Sequence, residues 1–397
     1  MKRKDIIEQH KEKYSVWFAS DNYWKTRLPD GSPKGRLIKR RNEQDLYNAI
    51  IDFYKVPEKR TDIITIRKLY PEFLEQKKLE KIADTTYVRY QNTWNKYLES
   101  DTELVDADIT KLKKGFCKTW TLKFLDKNPM KRKCYSGIKS LITQILEVAT
   151  DRDYVIGNIY RDIHVPTNCF VEDVKSDKEQ VFTDKEIELL SDYLWARYGA
   201  DTTYTAPLAI LFVFETGLRV AELEAMKFSD IDEDNFIQIK RQRVKRMNAN
   251  GELKNYAFVE HAKSHSRKQP LYIPTEGQKI LSIVKEANKM NGDGADGFIF
   301  YNQHKHMTTA VLDRLIETAC RNTGIPIRRM HCIRKTYGSK LSDNGMPLQM
   351  VADAMGHASI ETTIRHYIKN RSCKNEQAVM IESVFAKQGP QGNPAAR

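Results

Sequence analysis

The sequence predicts a multidomain protein, mainly α with small β parts, and three observations point there. Its 397 residues exceed what a single hydrophobic core usually organises. Short runs rich in aromatic and β-branched residues open the chain, and helix-period patterns follow them. A polar stretch without periodicity, 166–180 (PTNCFVEDVKSDKEQ), then separates a third region. A compact domain rarely holds so long a structureless segment, so it reads as an interdomain linker.

The first domain is expected at 1–60. Runs 14–20 (YSVWFAS), 23–28 (YWKTRL) and 36–40 (RLIKR) read as strands, with turns at Asp21-Asn22 and Pro29-Asp30-Gly31. Residues 43–55 place apolar side chains at 46, 47, 50, 51, 53 and 54, a helix to back a three-stranded sheet. Lys25, Arg27, Lys34, Arg36, Lys39, Arg40 and Arg41 cluster on or beside the strands. A small sheet can lie in a DNA major groove, which makes these cations candidate DNA contacts.

An all-helical domain is expected at 61–165, with helices at 61–77, 85–99, 111–125 and 129–151. Arg89, Lys131, Arg132, Lys133 and Lys139 are its candidate phosphate contacts.

The third domain is expected at 181–385. Thr183 caps its first helix, and Glu186 three residues on completes a capping box. A buried helix at 206–214 stops at Thr216-Gly217. Strands at 236–246 and 252–261 are joined at Asn250-Gly251, a strong hairpin signal. Residues 268–274 (KQPLYIP) read as a third strand, and only helices are expected after it. One short helix starts with Pro347 and ends at Gly356, where glycine stops helices readily. Ser359 can cap the next. Residues 375–386 carry apolar positions at 378, 379, 381, 384 and 385, a segment expected to dock on its own domain or on a neighbouring protomer. Residues 386–397 are expected to be disordered.

Composition narrows the function. The chain carries 66 Lys+Arg against 53 Asp+Glu, a net charge of +13, which favours a polyanionic partner such as nucleic acid. No apolar run approaches the ~20 residues of a membrane span, and the basic N-terminus lacks the apolar core of a signal peptide. A cytoplasmic location is expected, with no membrane partner. The 6 cysteines are scattered without a CxxC pair, so neither a disulfide framework nor a zinc site is indicated.

Four islands in the third region carry the chemistry. Thr216–Glu222 (TGLRVAE) sets Arg219 and Glu222 three apart. Lys263 lies in the turn HAKSHS, between the second and third predicted strands. His331 and Arg334 form an HxxR pair at a helix start. The fourth, 355–367 (MGHASIETTIRHY), holds His357, His366 and Tyr367. Each spacing is weak alone, since an i, i+3 ion pair or a packed tyrosine explains any one of them. Their order in one domain of a basic protein is not weak.

That order, with the phrases TGLRVAEL, HCIRKTYGSKL and MGHASIETTIRHY, resembles the tyrosine recombinases, or phage integrases. The resemblance covers nearly the whole chain. It implies a mixed α+β tyrosine recombinase catalytic domain at 181–385 and a helical core-binding domain at 61–165. The first sixty residues resemble the arm-site-binding module of integrases from conjugative transposons and temperate phages.

The resemblance also implies the roles. Tyr367 is the nucleophile, forming a 3′-phosphotyrosyl bond. Arg219 and Arg334 clamp the phosphate with planar hydrogen bonds that lysine cannot copy. His331 is the candidate base for the tyrosine proton, Lys263 the acid for the leaving 5′-oxygen, and His357 a donor to the phosphate. Glu222 supports the site. Lys263 is preferred over Lys254 and Lys268 because it sits in the inter-strand turn, and Tyr367 over Tyr301 and Tyr337 because it follows the glycine–histidine corner. His366 is a bystander. No metal and no cofactor are expected. The partners implied are double-stranded DNA attachment sites, a homotetramer on DNA, and possible excisionase and DNA-bending proteins. The expected function is integration and excision of a mobile element through a Holliday junction. An Xer-like resolvase, or a non-catalytic DNA-binding regulator on the same scaffold, is the alternative.

Overall fold

The computed structural model describes residues 3–30, 32, 34–55, 63–172, 176, 179–260, 269–302, 304–369, 371, 378, 379 and 382. Two compact units divide the chain. One holds 1–73, 99–121 and 142–164, the other 74–98, 122–141 and 165–397.

The first unit opens with α1 (Arg3–Lys13), which the sequence reading missed, followed by β1 (Val16–Phe18), β2 (Trp24–Leu28), β3 (Arg36–Arg40) and α2 (Glu43–Lys55). The three strands form one antiparallel sheet in the order β1-β2-β3. Strand alternation gives it two unlike faces. Val16, Trp24, Leu28 and Ile38 pack toward Leu46 and Ile50 of α2. Trp17 lies opposite Lys25, Lys25 opposite Lys39, and Arg27 opposite Leu37 on the other face.

α1 is nearly all polar, with Ile6 and His10 buried, so it offers no apolar period to read. It is held by a polar clamp. His10 Nε2 lies 2.8 Å from Thr26 Oγ1 and Nδ1 lies 2.9 Å from Tyr54 Oη. Thr26 gives its own proton to the Ser15 carbonyl at 2.9 Å, so it accepts from His10 Nε2–H. Nδ1 then accepts from Tyr54. Burial lowers the His10 pKa.

Four helices follow: α3 (Ile66–Leu79), α4 (Asp84–Tyr97), α5 (Lys114–Lys127) and α6 (Arg132–Asp151). α3 starts later than predicted because Thr65 caps it, accepting from Lys68 N at 3.2 Å. α5 also starts late, since Ile109–Lys111 forms a separate 3-10 turn capped by Asp108. Within the predicted linker, Thr167–Cys169 makes another 3-10 turn, and the Phe170 ring sits 5.6 Å from that of Tyr135.

In the second unit, α7 (Asp184–Ala200) has the predicted capping box, with both Thr183–Glu186 bonds made. α8 (Ala206–Thr216) has nine buried residues and is the axis of the core. The chain continues through α9 (Val220–Leu223), β4 (Phe236–Ile237), β5 (Arg241–Arg246), β6 (Asn255–Glu260), β7 (Leu271–Tyr272) and α10 (Thr275–Asn291). After these come β8 (Tyr301–Asn302), β9 (Lys305–His306), α11 (Thr309–Asn322), α12 (Met330–Asp343), α13 (Leu348–Met355) and α14 (Ile360–His366). α7, α10, α11 and α12 all pack on α8.

Two β expectations are corrected. The strand predicted at 236–246 is two strands, β4 pairing with β7 and β5 with β6. Between them the buried Asp230 turns the chain: its carbonyl accepts from Gln238 N at 2.9 Å, and its carboxylate bonds Arg241. The region after β7 is not purely helical, because β8 and β9 form a small hairpin. Two-residue strands are too short to show a period. The Asn250-Gly251 turn is present, with Gly251 at φ 77° and its N–H bonded to Asn248 O at 3.0 Å.

Candidate active site

The site grows from three places: the chain reversal that ends α8, the first turn of α12 and the chain reversal that ends α13. At the first, Gly217 ends α8 with φ 58°, and a Cβ there would lie 2.2 Å from the Tyr337 ring. Only glycine satisfies both the left-handed backbone and that contact. The turn delivers Arg219 at the start of α9. Buried Glu222 accepts from Arg219 Nη1 at 2.7 Å and from its backbone N at 3.0 Å, while Nη2 reaches Gly356 O at 3.0 Å.

At the second, α12 presents His331 and Arg334 one turn apart. Arg334 is 2% exposed, and a buried guanidinium needs acceptors all round. It donates from Nη1 to Gly217 O at 2.6 Å and from Nη2 to Met355 O and to His357 Nε2, the latter at 3.2 Å. His331 stays solvent-accessible. Its pKa is nonetheless lowered, first by desolvation and then by Lys335, Arg334, Arg219 and Lys133, which holds it neutral at pH 7.

The third is the corner at Gly356, φ 62°, which ends α13 and throws out His357. Ser359 caps α14 by accepting from Glu361 N at 3.1 Å. Tyr367 closes α14, half-buried between two imidazoles. Its ring centroid lies 4.3 Å from His357 and 5.4 Å from His331, with the Arg334 guanidinium 5.4 Å away. Arg219, Glu222, His331, Arg334, His357 and Tyr367 thus converge, whereas His366 is exposed. Lys263 lies outside the described residues, which stop at Glu260 and resume at Gln269.

Several residues shape this site without having been legible beforehand. Buried Ser339 donates to Tyr367 O at 2.9 Å and accepts from Lys369 N at 2.9 Å. Thr363 Oγ1 lies 2.8 Å from His357 Nδ1. Arg371 bonds Phe182 O at 3.1 Å, Asp343 at 3.3 Å and Asp184. Thr363 had one available signal, its place one helical turn before Tyr367. Ser339 and Arg371 had none, because their partners are distant in sequence.

The predicted DNA contacts divide by position. Lys25, Arg27 and Lys39 lie on the open sheet face, Lys25 with Asp21 at 2.6 Å and Arg27 donating to Gly35 O at 3.0 Å. Arg36 and Arg40 pair with Leu28 and Trp24, so strand alternation puts them on the face backed by α2, exposed at the strand ends. Lys34 sits in the β2–β3 turn. Arg89 is exposed on α4, in an open groove with Asn92, Thr93 and Lys96. Lys131, Arg132 and Lys133 are exposed, and Lys139 is half-buried.

Residues 180–373 match the model of the phage integrase family. They hold every residue of this cluster. The protein carries a phage integrase domain and is a tyrosine site-specific recombinase. Among relatives, the recombinase is 22% identical over 304 residues to the XerC-like tyrosine recombinase of Caldanaerobacter subterraneus subsp. tengcongensis, covering 71% of this chain and 73% of the other. It is 23% identical over 361 residues to the transposase of transposon Tn916 from Enterococcus faecalis, covering 87% and 84%. Its fold matches the solved Tn1549 transposon integrase in complex with circular intermediate DNA, with a TM-score of 0.62, 19% identity, and 81% and 99% of the two chains covered. This recombinase thus resembles integrases of conjugative transposons across most of its length. Among its described residues no helix is long and apolar enough to cross a membrane.

Proposed function

We propose that this recombinase integrates and excises a mobile element by cleaving DNA with Tyr367 and rejoining strands through a Holliday junction. One observation carries the reading: Arg334 contacts both His357 and the Tyr367 ring while held by carbonyls from two chain reversals. A phosphate at that point would meet two arginines, two imidazoles and a phenol.

The chemistry follows from those groups. A free tyrosine ionises near pH 10, so its phenolate costs ~4 kcal/mol at pH 7. Neutral His331 takes the proton as the oxygen attacks phosphorus. Arg219 and Arg334 neutralise charge on the nonbridging oxygens, as an oxyanion hole does, and His357 donates to the same phosphate. Glu222 holds Arg219 in place. Lys263 protonates the leaving 5′-oxygen. The bond energy stays in the 3′-phosphotyrosine, so rejoining needs no nucleotide cofactor.

Residues 1–60 serve as an arm-type DNA-binding domain, 61–165 as the core-binding domain and 181–385 as the catalytic domain. The partners are double-stranded attachment sites, three further copies of the chain, and excisionase or bending proteins. Cytoplasmic action fits this work on DNA.

Covalent capture tests the reading. Protein is mixed with DNA fragments in EDTA, denatured in detergent, and the attached DNA is sequenced. Adducts with the wild type and none with Tyr367→Phe, at equal binding in a shift assay, are expected. Binding without adducts in either protein, even on nicked substrates, would favour the regulator instead.

A further inference from the structure

We propose that Thr363 is a positioning residue that sets the tautomer of His357 and lets the ring change from accepting to donating when a phosphate arrives. The inference rests on reading His357 as a phosphate ligand and Tyr367 as the nucleophile. Thr363 is fully buried. Its carbonyl accepts from the backbone N–H of Tyr367 at 2.9 Å and of Ile368 at 3.0 Å. The residue that touches His357 therefore also ends the helix of the nucleophile.

The hydrogen bonds fix the proton. His357 Nε2 lies 3.2 Å from Arg334 Nη2, and Nδ1 lies 2.8 Å from Thr363 Oγ1. A guanidinium carries donors only. Nε2 must accept, so the neutral ring carries its proton on Nδ1 and donates it to Thr363. A phosphate oxygen also only accepts, so Nε2 must gain a proton to hold it. The ring takes that proton from solvent. Nδ1 then either keeps its own proton, leaving a cation beside the phosphate, or releases it to solvent. In the second case the Thr363 hydroxyl rotates and donates to Nδ1. A hydroxyl serves both states because it can accept or donate, and a methyl group serves neither. Ring orientation is held throughout, as a hydrogen bond to one imidazole nitrogen defines the role of the other.

The test uses the full-length protein with ¹⁵N-histidine. Nitrogen–proton correlation spectra report each tautomer, and His357→Gln identifies the His357 signals. Protonation at Nδ1 is expected in the DNA-free wild type, and loss of that preference in Thr363→Val. Covalent capture on a nicked substrate should slow on the order of 10- to 100-fold in Thr363→Val, the scale of a misplaced reacting group. Thr363→Ser should stay within about 3-fold of wild type, well inside that scale. A wild-type ring protonated at Nε2 would overturn the proposal. So would Thr363→Val cleaving at the wild-type rate, or Thr363→Ser cleaving as slowly as Val at an equal melting temperature. If Thr363→Val does not fold, the wild-type tautomer and the Ser variant decide. Adducts persisting in Tyr367→Phe would instead defeat the underlying assignment and leave the tautomer result standing.

Discussion

The N-terminal sheet and the catalytic pocket are both built around cations, but they hold them in opposite ways. On the sheet, Lys39 and Arg40 project from an exposed strand, and Lys25 is tied to a surface aspartate. In the pocket, Arg334 is 2% exposed and bound to carbonyls of Gly217 and Met355. A surface cation costs little to place and adds little to stability. A buried one is costly unless it is well paired, so its position becomes part of the fold. Charge on the sheet is suited to affinity for a polyanion, and charge in the pocket to chemistry at one fixed point.

The largest effect that would sharpen this contrast comes from Arg334→Ala. It removes the donor shared by two buried carbonyls, so stability should fall by about 2–4 kcal/mol in a denaturant titration. Cleavage should fall on the order of 10²–10³-fold at a temperature where the variant is folded. An unchanged melt would break the claim that this arginine is structural as well as reactive.

Next in size is the joint replacement Lys25→Ala, Arg27→Ala, Lys39→Ala. Stability should change by no more than about 1.5 kcal/mol, at about 0.5 kcal/mol for each surface change. Binding to long DNA should weaken, and its log–log salt slope should lose about 0.9 for each phosphate contact removed. Covalent capture on short core fragments should be unaffected. Loss of cleavage on those fragments would erase the distinction between the two regions.

The smallest effect expected is in pH. The His331 pKa lies below the ordinary 6.5, so the neutral base persists as pH falls through that value. Activity should be level from pH 8 down past 6.5 and drop only below it, in single-turnover cleavage rates. His10 shares the direction of shift for stability. Its neutral form is favoured in the fold, so that contribution is complete above 6.5 and is lost as pH falls below it. An acid limb of cleavage centred at or above 6.5 would mean that desolvation and the cations around His331 do not act as described.

Much of this was legible in the sequence, for local reasons. β2 and β3 lie where alternation and turn residues put them, and the Thr183 capping box is complete in itself. The spacings TGLR, HxxR and GH…Y, weak one by one, picked out through their family resemblance the residues that the fold brings together. What stayed hidden depends on distant partners or lacks a period. α1 is held by one buried histidine, and β8 and β9 are two residues each. The split between β4 and β5 is imposed by Asp230, and both arginines also reach backbone carbonyls, Arg219 that of Gly356 and Arg334 those of Gly217 and Met355, which no residue type reveals. Lys263 falls outside the described residues, as does most of 375–386, the segment expected to dock; of that segment Ala378, Val379 and Glu382 are described, and all three are exposed.

The most direct measurement is the identity of the residue joined to DNA. Trapped complexes would be digested with nuclease and protease, and the phosphonucleotide-bearing peptide sequenced by mass spectrometry. A single adduct, on Tyr367, is expected. An adduct on Tyr337, Tyr301 or any other residue would contradict it.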